Sequence, residues 1–215
     1  NIKSKSKSAG DFLETPSSEL SFVAVRSSAT TEDLADASFA GQQETFLNVK
    51  GKENLLESIK KCFASLFTPR ATYYRNKKGF KHEKASLAVV VQKMINSDKS
   101  GVIFSKDPST KRDVMIIEAV FGLGEGIVSG QITPDRYITS FDKTGNCEIK
   151  EKAIPKKKTA IVRGENGGKE TVKLKEEKSQ QQVLKEHEVM KLAEIAIKLE
   201  NHYKKPQDIE FAISD

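Results

Sequence analysis

The chain has 215 residues, 37% of them hydrophobic and 31% charged, which suits one substantial domain or two small ones with an ordinary core. No stretch approaches the roughly 18 apolar residues that a membrane-spanning helix needs, and the lysine-rich residues 1–8 lead into no apolar leader core, so membrane insertion and export are not expected and the cytoplasm is the expected compartment. The net charge is +6, yet the lysines are scattered rather than interleaved with aromatic side chains, so solvated surface charge is favoured over a nucleic-acid surface.

Residues 1–20, Lys/Ser-rich with Pro16, read as a loose lead-in. A strand over 22–26 leaves through a polar loop, and a second strand covers 44–49. From Lys52, the apolar residues Leu55, Leu56, Ile59, Phe63, Leu66 and Phe67 recur at helical spacing, and Pro69 stops that helix. A short helix to Gly79 follows. The nearly continuous apolar run over 85–94 suits a strand buried on both faces. Further strands are expected over 101–105 and 113–120. Hairpins are expected over 137–153 and 159–174, the second turning through residues 164–168. A long helix carries Val189, Leu192, Ala193, Ala196, Leu199 and Tyr203 on one stripe. Pro206 ends it before a last strand over 207–213. Strands with separated helices make an α+β class.

Three places could carry chemistry. Arg26 sits at the end of an apolar strand, where a charge needs a partner. From there a guanidinium can fork onto phosphate oxygens, with the hydroxyls and amides that follow as further donors. The competing reading is a helix cap at Thr30-x-x-Asp33. The glycines at 122, 124, 126 and 130 miss the G-x-G-x-x-G spacing, because the sixth position is Ile127. A glycine-rich turn remains, structural or facing a ligand. Strand alternation puts Asp208 and Glu210 on one face, where two carboxylates can share a hard cation such as Mg²⁺, although a solvated strand face is the commoner explanation. The three histidines form no legible nucleophile-and-base arrangement. Cys62 and Cys147 lie in no metal-ligand spacing and read as free thiols of a reducing compartment.

In order, VAVRSSATTEDLADASFAGQQETFLNV, LAVVVQKMINSDKSGVIFSKDP, IIEAVFGLGEGIVSGQITPD and QDIEFAI closely resemble the ATP-binding domain of the phosphoenolpyruvate synthase (pyruvate, water dikinase) family. The resemblance covers about residues 22–213. It implies an ATP-grasp architecture for residues 21–215, two α+β lobes clasping ATP, with the N-terminal part incomplete. It implies that Arg26 binds phosphate and that Gly41 and Thr45 line the nucleotide. Gln92 and Met94 fall on the hinge strand that meets adenine, and Glu118 on the acid before the glycine loop. Glu210, with Asp208, matches the metal-linked acids, so ATP and Mg²⁺ are the implied cofactors.

In that family the domain passes phosphate from ATP to a histidine on a separate mobile domain. The phosphohistidine then converts pyruvate to phosphoenolpyruvate, with AMP and phosphate as the other products. The family's early glycine-lysine motif has no counterpart before Phe22, and its later glutamine and arginine fall beyond Asp215. The phosphohistidine and pyruvate-binding domains have no counterpart either. The chain is therefore expected to be part of a larger enzyme, inactive by itself and weak in ATP binding. Alternatives are the ATP-binding part of a rifampin phosphotransferase-like enzyme, or a non-catalytic nucleotide-binding module.

Overall fold

The computed structural model describes residues 21–29, 33–34, 37–38, 44–110, 112–142, 145–165 and 167–214. The expected lead-in, residues 1–20, lies outside them. The chain is mixed α+β and divides into two units, Asn1–Met94 with Glu165–Gly168, and Ile95–Gly164 with Lys169–Asp215.

In the first unit, β1 (Val23–Ala29) lies between β4 (Thr45–Val49) and β5 (Leu87–Lys93), antiparallel to both. Two-residue strands β2 (Asp33–Leu34) and β3 (Ala37–Ser38) pair with each other. Asp33, a candidate for the first turn of a capped helix, is thus in a small antiparallel ladder instead. Helix α1 (Lys52–Ser65) starts at Gly51, whose φ of 88° suits only glycine, and packs on one face of the three-stranded sheet. Val23, Val25, Val49, Leu55 and Cys62 form the core there, with Phe46, Ile59, Val89 and Val91 against it. Thr68 caps α2 (Pro69–Lys77) by accepting from the Ala71 amide, and Pro69 opens the first turn. A single 3₁₀ turn, His82–Lys84, precedes β5.

Two expectations about burial fail in this unit. The stripe of α1 that faces the sheet is Leu55, Ser58, Cys62 and Ser65, whereas Phe63 and Phe67 are 48% and 67% exposed. Small polar residues serve there because the chain satisfies them: Ser65 Oγ donates to the Cys62 carbonyl at 2.7 Å, and Cys62 Sγ lies 3.6 Å from the Val25 carbonyl. Nor is β5 buried on both faces. It pairs with β1 along one edge, Val89 and Val91 turn toward α1, and Val90 on the other face is 46% exposed.

The second unit is built on β6 (Lys99–Phe104), β7 (Met115–Phe121), β8 (Asp135–Phe141), β9 (Cys147–Ala153) and β12 (Asp208–Ile213), in the spatial order β12-β6-β7-β8-β9 and antiparallel throughout. Strands β10 (Thr159–Arg163) and β11 (Lys169–Lys173) form a hairpin. Short helices α3 (Glu125–Val128) and α4 (Glu176–Gln180) precede the long α5 (Glu186–Tyr203). Val189, Leu192, Ala193 and Ala196 of α5 join the core with Ile103, Ile117, Ala119 and Tyr137 of the sheet. Ile209, Phe211 and Ile213 of β12 pack against the same cluster. Lys204, left-handed at φ 57°, ends α5, and the chain passes Pro206 into β12.

Candidate functional site

Each unit buries one face of its sheet under a helix, and the candidates that lie on described strands, Arg26, Thr45, Gln92, Glu118, Asp208 and Glu210, occupy the other face. In the first unit, Val23 and Val25 point to the core, so Ala24, Arg26 and Ser28 point away from it. Arg26 is exposed, and its cross-strand partners are Thr45 on β4 and Val90 on β5. Gln92 pairs with Ala24 and shares that face. Arg26 is therefore not at the end of its strand, as its sequence suggested, but at the middle of β1. The strand continues through Ser27 and Ser28 because β5 pairs with it as far as Ala29. The Met94 amide donates to the Phe22 carbonyl at 2.8 Å and is already engaged by the fold. Gly41 lies outside the described residues.

In the second unit, β12 alternates as its sequence predicted. Asp208 and Glu210 are exposed, while Ile209 and Phe211 turn toward the core. The register runs Glu210, Val102, Glu118, Arg136 across β12, β6, β7 and β8, so these four side chains share the face away from α5. Arg136 Nε approaches Glu118 Oε1 to 4.0 Å. Asp208 and Glu210, about 6.8 Å apart along the strand, suit a cation that keeps part of its water shell. No group of three or more His, Cys, Asp or Glu side chains that could hold a metal ion occurs among the described residues. Two carboxylates alone offer a hard cation part of a coordination shell and no more. Gly101 lets β12 lie close, because a Cβ there would fall 2.0 Å from the Glu118 carbonyl oxygen and 2.6 Å from Phe211 Cζ.

The glycine-rich turn has structural work at Gly122 and Gly126. At Gly122, φ is 79°, and a Cβ would fall 2.1 Å from the Ile161 carbonyl oxygen. The Gly122 amide donates to the Asp98 carbonyl, and the Gly122 carbonyl accepts from the Ser97 and Ser100 hydroxyls at 3.0 and 2.6 Å. Gly126 makes room for Ile132. These backbone groups are used to fasten the turn.

One cluster had no sequence signal strong enough to reveal it. Lys157, expected among solvated lysines, is 2% exposed. It donates to Asp135 Oδ1, and at 3.1 Å to the Pro155 carbonyl. Asp135 also accepts from the Val183 amide at 2.6 Å and from the Tyr137 hydroxyl at 3.3 Å. The Leu184 amide donates to Tyr137 Oη at 3.1 Å. Burial pushes the Tyr137 phenol above its ordinary range, so it stays protonated and keeps donating. His82 has a structural task as well: its Nδ1 accepts from Nε of the buried Arg75.

Residues 2–215 match the family described as pyruvate phosphate dikinase, AMP/ATP-binding domain. The chain is 55% identical over 192 residues to a probable phosphoenolpyruvate synthase of Archaeoglobus fulgidus, covering 89% of this chain and 25% of that protein. It is 49% identical over 198 residues to the phosphoenolpyruvate synthase of Pyrococcus furiosus, covering 89% and 24%. A rifampicin phosphotransferase of Bacillus cereus is 49% identical over 193 residues, covering 89% and 22%. The chain thus spans about a quarter of the length of these relatives.

Proposed function

The chain belongs to the pyruvate phosphate dikinase AMP/ATP-binding domain family, and from that premise we propose that it is the ATP-binding part of a phosphoenolpyruvate synthase, with the two units acting as the lobes of an ATP-grasp domain. The observation that carries the proposal is the family match over residues 2–215. The chemistry of the two open faces supports it. A guanidinium with a hydroxyl beside it is phosphate-binding chemistry, and paired carboxylates are magnesium-binding chemistry.

In this reading Arg26 forks onto phosphate oxygens and Thr45 supplies a hydroxyl beside it. Gln92 and the chain at Met94 border the adenine. Asp208 and Glu210 would hold the magnesium that accompanies the phosphates, with Glu118 on the same face. Magnesium, when bound, offsets phosphate charge. The side chains hold the β-phosphate in line with an incoming histidine from another domain, with AMP as the leaving group and the γ-phosphate then released to water as phosphate, so that catalysis rests on positioning and charge. Pyruvate is the final acceptor, with phosphoenolpyruvate, AMP and phosphate as products.

The isolated chain binds ATP weakly, because the family's remaining phosphate-binding lysine, glutamine and arginine have no counterparts in these 215 residues. Calorimetry with Mg-ATP tests this, and micromolar binding would contradict it. Exchanging this chain for the matching segment of the Pyrococcus furiosus synthase tests the reaction. Pyruvate-dependent release of AMP and phosphate is expected. A chimera that folds and binds ATP, yet releases neither, would sink the synthase assignment. Turnover of rifampicin by the matching chimera with the Bacillus cereus phosphotransferase, with none of pyruvate by the synthase chimera, would favour the phosphotransferase relatives.

A further inference from the structure

Strands β12, β6, β7 and β8 turn Asp208, Glu210 and Glu118 to the face away from α5, together with one cation, Arg136. Lys99, the other basic residue on these strands, turns the opposite way, where its Nζ donates to Glu188 of α5 at 2.8 Å. Over these four strands, three carboxylates against one guanidinium leave the face negative, a poor field for a nucleotide that is itself an anion. Arg136 is the group that offsets it. Its closest approach to Glu118 is 4.0 Å through Nε, and the two side chains are 45% and 26% exposed. An exposed pair at that separation is weak, whereas a guanidinium fork on phosphate is a strong, directed contact.

Resting on the Mg-nucleotide reading above, we propose that Arg136 is a second phosphate-binding arginine, exchanging its loose contact with Glu118 for the β- or γ-phosphate of the bound nucleotide. The terminal phosphates are its target because the carboxylates of the same face would hold the magnesium that accompanies those phosphates. Arg136 reaches them from across the sheet, with Glu118 and Val102 between it and Glu210. The exchange breaks no covalent bond and moves no proton. It frees the Glu118 carboxylate as the arginine departs.

The test is an amide chemical-shift titration of the 215-residue chain and its variants with Mg-ATP, Mg-ADP and AMP, carried to millimolar concentrations. Arg136→Gln is expected to weaken Mg-ATP by about tenfold and to leave AMP, which lacks the terminal phosphates, unchanged. Arg136→Lys keeps the charge without the fork and is expected to fall between. It carries the test if the glutamine variant does not fold. Unchanged Mg-ATP affinity in the variants, or equal weakening of ATP and AMP, overturns the proposal. Failure of the unaltered chain to bind any adenine nucleotide overturns the Mg-nucleotide reading, and this inference with it.

Discussion

Asp135 and Lys157 form an ion pair that is sealed from solvent inside the second unit, with the Tyr137 hydroxyl and the Val183 amide completing the carboxylate's partners. The pair ties β8 to the segment before β10 and to the start of α5. Such a pair is costly to break singly, because each group left behind is charged or polar and has no water. Asp135→Ala is expected to cost about 3–5 kcal/mol, read from urea denaturation. Adding Lys157→Met should recover much of the loss. A single-variant loss below about 1 kcal/mol, the size of an exposed pair, would show that the carboxylate is reached by water.

Cys62 provides a pH signature. Burial, with the nearby Glu44 charge second, pushes its thiol up to about 11. In the unfolded chain it titrates near pH 8.5, roughly. The folded value is the higher one, so folding favours the protonated thiol. Its contribution is complete below the unfolded value and is lost as pH rises toward the folded value. Burial raises Cys147 as well, so the comparison belongs in a Cys147→Ala background. There, stability should decline from about pH 8.5 upward, and Cys62→Ala should flatten that decline. Equal slopes with and without Cys62 would refute the assignment.

Gly101 seats β12 against β6. Gly101→Ala would force a methyl toward the Glu118 carbonyl oxygen and the Phe211 ring. The expected cost is about 1–3 kcal/mol from overpacking, with the largest amide shifts along β12. Thermal unfolding and a heteronuclear spectrum check both. Wild-type Tm with undisturbed β12 amides would mean that the strands part without penalty.

Arg26 and Glu210 carry opposite halves of the proposed nucleotide chemistry. Both side chains are exposed, so Arg26→Gln and Glu210→Gln should cost no more than about 1 kcal/mol of stability, the size of an exposed contact. Each is expected to weaken Mg-ATP by about tenfold or more in titration. Weakening by one substitution and not the other would confine nucleotide binding to a single unit.

The period-two pattern of β12 was legible because apolar and acidic residues alternate without interruption from Asp208 to Phe211. Arg26 stood out as a charge directly after Val25, though β1 runs further than its apolar residues do. The run that became β5 misled because continuous apolar residues read alike in a doubly buried strand and in one packed on a single face. Helix α1 misled for the opposite reason: its sheet-facing stripe uses Ser58, Cys62 and Ser65, which carry little hydrophobic signal. Lys157 was hidden because its partner lies 22 residues earlier. Arg136 could be placed beside Glu118 only once the β7–β8 register was known.

The link from Tyr203 to Asp208 has a consequence for how this chain tolerates change. Residues 204–207 turn α5 back into β12, starting from the left-handed Lys204. Strand side chains alternate, so a slip of β12 by one residue against β6 would send Asp208 and Glu210 beneath α5 and bring Ile209, Phe211 and Ile213 out. The apolar half of β12 therefore pins the strand, and a change of length in the link is expected to be taken up by the turn itself.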